Sequence, residues 1–181
     1  YKLTNANPDG STLPQHFFQS LKLALTSFII ATIIGVPLGW IMGYYKVADF
    51  LLNPLFEIIR PIPPIAWIPI VILTMGIGMS AKVFIIFVAA FVPNVINSYL
   101  GIRLTDATLI NVAKTFGASD WKIFTTVCIP SSMNMVFTGI RLSLNASWTT
   151  LVAAEMLASI RGLGYMIQMG RTIIRPDIII V

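Results

Sequence analysis

Few residues in this sequence have the types and spacing that catalytic chemistry requires. No glycine is followed by lysine, so the P-loop that binds ATP phosphates is absent, and no GxSxG, HExxH or CxxC pattern occurs. The single cysteine, Cys128, excludes an internal disulfide and a cysteine metal cluster. The single histidine, His16, begins an apolar segment, where an interfacial side chain is expected rather than a metal ligand. We therefore predict no metal and no catalytic residues.

One acidic residue lies deep in an apolar context: Glu155, in the run LVAAEML. A carboxylate within a membrane is a functional candidate by default. The alternative, which we favour because a polar loop follows closely, is a structural residue paired with Arg141 or Arg161. Nearby polar residues could line a hydrophilic path or hydrogen-bond between helices; they are Asn145, Ser147, Thr149 and Thr150. On an α-helix, Asn145 shares a face with Thr149, and Ser143 shares one with Ser147.

A second candidate site is the polar, amphipathic insert at residues 103–130, between two long apolar stretches. Its apolar residues have the spacing of one helix face and are Leu109, Val112, Ala113 and Phe116. Gly117 then interrupts the pattern, Ser119 is able to cap a second short helix, and Pro130 is expected to stop it. Two short helices bent at a glycine predict a docking surface for another protein.

Composition indicates the kind of scaffold that carries these residues. Of the 181 residues, 56% are hydrophobic and 10% are charged, against roughly 45–50% and about 25% in soluble domains. These values predict an all-α, polytopic transmembrane helical bundle. The net charge of +5 is spread over scattered Lys and Arg with no run of three, so no nucleic-acid partner is indicated. The abrupt ends suggest an internal piece of a longer protein that lacks a span at each end.

Apolar stretches predict about four complete spans plus the start of another. They cover residues 17–45, 54–78, 82–102 and 131–158, and the further span begins near Asp177. Residues 46–53 are predicted to be a short loop. Prolines interrupt the second stretch, and Pro61–Pro64 cannot be regular α-helix. This break fits an interfacial elbow, with Glu57 and Arg60 as a surface ion pair, or a broken helix beside a transport path. The two interpretations are compatible.

Three glycines in the first span, Gly35, Gly39 and Gly43, repeat every four residues. Such a ridge of small residues lets a neighbouring helix come close, and we expect that role rather than flexibility assisted by Pro37. The Lys and Arg residues of the loops are divided equally between the two sides of the membrane. The excess of positive charge that usually marks the cytoplasmic side therefore gives no orientation.

The insert resembles the loop signature of ABC importer permeases. That signature is EAA, three residues, Gly, nine residues, then Ile-x-Leu-Pro, and here Gly117 is followed at the matching distance by Val127, Ile129 and Pro130. The sequence departs from it at Asn111, where the family often has Glu, and at Val112, where it has Ala. Ala113 fits the triplet, and the helix–glycine–helix pattern is kept.

Other segments look like the nitrate/sulfonate/taurine branch of these permeases. They are RPIPPIAWIPI at 60–70, GIG at 76–78, TGIRLSL at 138–144, WTTLVAAEM at 148–156 and RGLGYMIQ at 161–168. The resemblance covers residues 17–178. It implies a fold like that of type I ABC importer permeases, in which residues 1–16 are a polar extracytoplasmic segment, 17–181 are the permease transmembrane domain and 103–130 are a cytoplasmic coupling loop.

The resemblance also implies partners and a mechanism. The chain would form a homodimer in a prokaryotic inner membrane and dock a cytoplasmic ABC ATPase that holds ATP and Mg²⁺, with a substrate-binding protein outside and no cofactor of its own. It would carry sulfonate, taurine or a related small anion such as nitrate or bicarbonate by alternating access, without being an enzyme. Phe116, Trp121 and Phe124 would be the large anchors of docking. The implied coupling residues are Asn111, Ala113, Phe116, Gly117, Ala118, Trp121, Phe124 and Pro130.

Two further possibilities follow from the charged residues. Arg161, Arg171 and Arg175 in the polar loop at 159–176 could attract an anion or the binding protein, or else anchor lipid headgroups. The alternative function is a self-contained channel or an ion-coupled secondary carrier. A carrier needs charged residues within its spans, and only Glu155 approaches that. A membrane-embedded enzyme is disfavoured because no catalytic constellation is present.

Overall fold

The computed structural model describes residues 12–159 and 161–174. The regular elements in this part of the chain are all helical, which confirms the predicted all-α class. Eight α-helices are joined by a 3₁₀ turn at Pro64–Trp67 and a π-helical turn at Phe124–Cys128. The α-helices are α1 Leu13–Tyr44, α2 Lys46–Ile59, α3 Ile68–Met75, α4 Met79–Arg103, α5 Ala107–Thr115, α6 Asp120–Ile123, α7 Ile129–Ala158 and α8 Leu163–Thr172.

Three helical segments of the described chain are long and apolar enough to cross a membrane: Leu13–Tyr44, Met79–Arg103 and Asp120–Met156. They agree with the spans predicted at 17–45, 82–102 and 131–158. A fourth crossing exists if Lys46–Ile59 and Pro64–Met75 together form one broken span. The further span predicted near Asp177 lies outside the described residues.

The chain divides into two compact units. One contains Pro63–Ala89 together with the described residues before Ile30 and after Leu144. Its core has two clusters, one around Leu23, Ile86 and Leu151, and one formed by Ile68, Val71, Ala81 and Ile85. The other unit comprises Ile30–Ile62 and Ala90–Leu144, and its core is the cluster Ile102, Ile123, Phe124 and Cys128.

The loop predicted at 46–53 is wrong, because α2 occupies these residues and continues through Pro54. Lys46 and Asp49 made the segment look like a loop, yet neither residue breaks a helix. The carboxylate of Asp49 pairs with Arg103 and accepts a hydrogen bond from the Tyr99 hydroxyl at 3.4 Å. One proline is tolerated in a membrane helix where neighbouring groups compensate the lost backbone hydrogen bond.

The break predicted at Pro61–Pro64 is confirmed. Helix α2 ends at Ile59, the 3₁₀ turn begins at Pro64, and α3 begins at Ile68. The predicted ion pair is also present, with 3.1 Å between Arg60 Nη1 and Glu57 Oε1 and both side chains about half exposed. Such a pair contributes at most about 1 kcal/mol. Whether this broken helix lies beside a transport path stays a prediction.

The glycine ridge of α1 packs directly against α4, as predicted. A Cβ atom built on Gly39 would lie 2.5 Å from the Val95 carbonyl oxygen, and one built on Gly43 would lie 2.8 Å from the Ile102 Cβ. One on Gly35 would lie 3.1 Å from the Asn94 Cβ. The partners advance along α4 in the same order as the glycines along α1, so the two helices run parallel.

Candidate functional site

The insert begins with a well-formed helix cap. A carboxylate oxygen of Asp106 accepts a hydrogen bond of 2.8 Å from the Thr108 backbone N–H, which compensates one of the unpaired donors at the start of α5. Hydrogen bonds from the backbone and side chain of Thr108 lower the pKa of the Asp106 carboxyl below its usual value. The cap is therefore present at neutral pH and is lost only as acid protonates Asp106.

The bend between the two short helices is a glycine-terminated helix end. Gly117 has φ +74°, and its N–H donates to the Lys114 carbonyl oxygen at 2.9 Å. The Ala118 N–H donates to the Ala113 carbonyl oxygen at 3.1 Å. Together these bonds form the Schellman motif, which favours glycine because other residues are strained at this φ. The predicted bend is confirmed, and its angle is held by backbone hydrogen bonds.

The second short helix is capped as predicted but does not end as predicted. The Ser119 hydroxyl accepts the Lys122 N–H at 3.4 Å. The chain then passes through the π-helical turn, where the Ile129 N–H donates to the Phe124 carbonyl oxygen five residues earlier, and continues into α7 through Pro130. The expectation that Pro130 stops the helix is therefore wrong. The wider π turn changes the local hydrogen-bond register just where a proline would otherwise clash with the preceding turn.

The inner side of the insert is fixed by aromatic packing. Phe124 is buried, and its ring centroid lies 4.9 Å from that of Tyr44 and 5.7 Å from that of Tyr45. The Tyr44 hydroxyl donates to the Asp120 carbonyl oxygen at 2.9 Å. Ala113 and Ala118 pack, partly buried, against the same cluster. Phe124 is therefore not available as a surface anchor, which corrects that expectation; it holds the two short helices to the ends of the long ones.

The outer side of the insert is exposed and apolar. Phe116 is 86% exposed and Trp121 is 65% exposed, and Leu109 and Val112 are also exposed. Asn111 lies exposed beside them. Of the predicted helix face, only Ala113 turns inward. Large exposed apolar side chains on a rigid support form the kind of surface that binds another protein.

The junction of α4 with the insert carries a contact that the sequence did not reveal. Arg103, the last residue of α4, pairs with Asp49, and its guanidinium carbon lies 5.3 Å from the centre of the Tyr99 ring. These contacts hold α2 against the C-terminal end of α4, where the insert begins. The contact was missed because Asp49 lies 54 residues from Arg103 in the sequence and was assigned to a loop.

The second candidate site is built around Glu155, which is 1% exposed. Its carboxylate oxygens lie 2.7 and 2.8 Å from the Ser20 hydroxyl, which donates to them. One of these oxygens also accepts the Gly164 N–H at 3.0 Å. The Ser20 oxygen in turn accepts the Leu163 N–H at 2.9 Å. Glu155 therefore ties α1 and the start of α8 to α7.

These contacts correct the partners expected for Glu155. Within the described chain it pairs with neither Arg141 nor Arg161, both of which are exposed. The nearby cation is Lys82, whose ammonium donates to the Ser159 hydroxyl at 2.8 Å. The arrangement supports the structural alternative for Glu155, because its carboxylate is occupied by hydroxyl and backbone donors.

The close packing around Glu155 requires two glycines and includes the histidine. A Cβ atom on Gly162, at φ +130°, would lie 2.3 Å from the Glu155 carboxyl carbon, and one on Gly164 would lie 2.4 Å from the Val152 carbonyl oxygen. The Gly162 N–H donates to His16 Nδ1 at 3.0 Å. His16 is buried, so the expectation of an interfacial side chain is wrong. The sequence offered no sign of Ser20 or His16 as partners of this segment.

Replacing Glu155 with Gln should destabilise the protein by about 1–3 kcal/mol. The side-chain NH₂ that replaces one carboxylate oxygen cannot accept a hydrogen bond from Ser20 or Gly164. The measurement is the melting temperature in detergent. Ser20→Ala should cost a similar amount, and the double variant should cost less than the sum of the two single variants, because the residues share one network. Additive losses would contradict the shared network.

The remaining predicted polar residues are divided by their environment. Asn145 and Thr149 are exposed on α7, whereas Ser143 and Ser147 are buried. Thr150 is also buried. A path-lining role is therefore retained as a prediction for Asn145 and Thr149 alone. The polar loop predicted at 159–176 is wrong in its central part, because α8 occupies Leu163–Thr172. Arg161, before this helix, and Arg171, within it, are exposed, and Arg175 lies outside the described residues.

These features define a class: a helical, multi-span membrane protein that presents a two-helix insert with exposed aromatic residues. Residues 35–179 match the family described as binding-protein-dependent transport system inner membrane component, and the chain belongs to that family. The family resemblance inferred from the Gly117–Pro130 spacing is thereby confirmed. Membership also agrees with a multi-pass inner-membrane protein.

Several named proteins are similar to this chain. A probable ABC transporter permease protein of Brucella melitensis is 42% identical over 151 residues, covering 83% of this chain and 61% of that protein. The taurine transport system permease protein TauC of Escherichia coli K12 is 34% identical, covering 98% and 66%. The nitrate import permease protein NrtB of Synechocystis is 33% identical, covering 83% and 54%. The chain thus spans about 61% of the length of the first relative.

The fold is also shared with a solved structure. A chain of the MetNI methionine ABC transporter, in an inward-facing conformation, matches with a TM-score of 0.76 at 18% sequence identity. The match covers 93% of this chain and 86% of that chain. It confirms the predicted importer-permease-like fold.

Proposed function

We propose that this chain is the permease subunit of an ATP-driven importer in a prokaryotic inner membrane. It moves a small oxoanion, such as taurine or another sulfonate, nitrate or bicarbonate, by alternating access. Family membership and the names of the similar proteins support this proposal. The observation that carries it is the exposure of Phe116 and Trp121 on an insert whose opposite side is locked to the helix ends.

In the proposed mechanism, the insert faces the cytoplasm and docks an ABC ATPase that holds ATP and Mg²⁺. Closure of two ATPase subunits moves the inserts of two permease copies together. The Schellman bend and the Tyr44–Phe124 packing make the insert rigid, so its displacement is transmitted to α4 and the adjoining part of α7. The spans then open toward the outside, where a substrate-binding protein delivers the anion.

The alternative, an ion-coupled carrier, needs a titratable group free to exchange its ion. Glu155 was the candidate, and its carboxylate is instead bonded to Ser20 and Gly164. The exposed aromatic insert has no role in such a carrier. Both observations favour the importer.

Copurification tests the proposal. Coexpressed with a tagged ATPase subunit encoded beside it, the wild-type chain should copurify with that subunit and support ATP-dependent uptake of taurine, nitrate or bicarbonate in proteoliposomes. The double variant Phe116→Ser/Trp121→Ser should bind the ATPase at least roughly 30-fold more weakly, since the loss of even one buried aromatic anchor costs about 2 kcal/mol or more.

The matched control is Phe50→Ser, which removes an equally exposed aromatic side chain from α2. It should copurify with the ATPase as the wild type does. If the wild-type chain never copurifies with the ATPase, the importer proposal fails. If the double variant binds as well as the wild type, the insert is not the docking surface.

A further inference from the structure

Arg141 is a cation in the middle of a membrane-spanning segment. It is in helix α7, within the segment Asp120–Met156 that is long and apolar enough to cross a membrane. It lies twelve residues after Ile129, or about 18 Å along the helix. A charge at this depth is costly in lipid, so such residues face a protein interior or water and mark functional sites by default.

The guanidinium of Arg141 has no hydrogen bond or ion pair with any other described residue, and its side chain is exposed. Two carboxylates on helix α2 of the same unit are already paired with other cations. Asp49 pairs with Arg103 and Glu57 pairs with Arg60. Arg141 therefore retains its full capacity to bind an anion from outside the chain.

The face of α7 that carries Arg141 is turned away from α4 and has a polar stripe beside exposed apolar side chains. Asn134 and Thr138, two turns and one turn before Arg141, are exposed on the same face. The opposite face packs closely on α4, where a Cβ atom on Gly139 would lie 2.8 Å from the Asn97 Cβ. An exposed stripe of Asn, Thr and Arg is unsuited to lipid and suited to a hydrated path.

We propose that Arg141 binds the transported anion during its passage through the membrane. The inference rests on the proposed function and names the chemistry that the path recognises. A guanidinium donates two parallel hydrogen bonds to two oxygens of one planar or trigonal group. Nitrate, bicarbonate and the sulfonate of taurine all present such a pair of oxygens and a negative charge. Lysine supplies the charge without the paired geometry, so Arg and Lys are not equivalent here.

The test is uptake by the assembled transporter, with its ATPase and binding protein, in proteoliposomes supplied with taurine, nitrate or bicarbonate. Arg141→Gln should lower the uptake rate of the transported anion at least roughly tenfold, which is the scale of one charge-assisted, bidentate contact. The uptake rate of Arg141→Lys should lie between the rates of Arg141→Gln and the wild type. Copurification of the ATPase should be unchanged in both variants.

The matched control is Lys22→Gln, which removes a cation from the exposed face of α1 and should change uptake less than twofold. Arg141→Gln uptake equal to that of the wild type overturns the proposal. So does an Arg141→Gln variant that loses its second copy or its ATPase on gel filtration, because Arg141 would then be an assembly residue. A wild-type complex that imports none of the three anions counts against the proposed function instead.

Discussion

Replacing Gly39 with isoleucine should leave little folded protein in the membrane. A Cβ atom at this position would lie 2.5 Å from the Val95 carbonyl oxygen, 2.7 Å from the Ser98 Cβ and 3.0 Å from the Tyr99 backbone nitrogen. Two of these three contacts are with backbone, which cannot rotate aside. Overpacking usually costs about 1–3 kcal/mol, and isoleucine here adds a branched side chain to an already impossible contact. The measurements are the yield of monodisperse protein and its melting temperature in detergent.

The neighbouring glycine supplies a graded control. At Gly35 the nearest contact of an added Cβ is 3.1 Å, to the side chain of Asn94, so Gly35→Ala should lower the melting temperature only slightly. The melting temperature of Gly39→Ala should lie between those of Gly35→Ala and Gly39→Ile. Because α1 and α4 approach each other through these glycines, equal melting temperatures for Gly39→Ile and the wild type would contradict the packing itself.

Local signals in the sequence were sufficient for features that depend on local backbone chemistry. The four-residue spacing of Gly35, Gly39 and Gly43 predicted close helix packing, and Gly117 and Ser119 predicted the bend and the cap of the insert. Gly117 and Ser119 act on backbone groups within a few residues of themselves, and the glycine spacing defines one face of α1. The helix that the glycine ridge contacts was not predictable, because α4 follows it by about 60 residues in the sequence.

For three residues or segments, the usual meaning of the residue types was misleading. Lys46 and Asp49 suggested a loop, although both lie in helix α2, where Asp49 pairs with the distant Arg103. Pro130 suggested a stop, although the π turn before it lets the helix continue. Phe124 suggested a surface anchor, but it is buried against the rings of Tyr44 and Tyr45, which are distant in the sequence.

The Glu155 site shows the same limit in its partners. A carboxylate in an apolar run was visible in the sequence, and a structural role was favoured. Arg141 and Arg161 were the partners nearest in sequence, but the hydroxyl that binds Glu155 belongs to Ser20, 135 residues away. A serine in an apolar helix carries no sequence signal that it will meet a carboxylate.

Replacing Gly117 with tryptophan should abolish ATP-driven uptake while leaving the chain folded in the membrane. The φ of +74° imposes about 1–2 kcal/mol of strain on a bulky residue, and relief of that strain opens the Schellman bend. Opening the bend displaces Phe116 relative to the helix that carries Trp121. The strain and the displaced aromatic anchor together should weaken the free energy of ATPase binding by about 3 kcal/mol or more. This corresponds to roughly 100-fold weaker binding. ATPase copurification and uptake in proteoliposomes measure the effect.

The fold should survive this change because nothing lies within 4 Å of a Cβ added at Gly117. The variant should therefore insert and melt like the wild type, in contrast to Gly39→Ile. Gly117→Asn is the matched control, since asparagine tolerates positive φ, and it should retain most ATPase binding. If Gly117→Trp and Gly117→Asn bind the ATPase equally well, the angle of the bend does not control docking. The coupling must then depend on the exposed side chains rather than on the rigid shape of the insert.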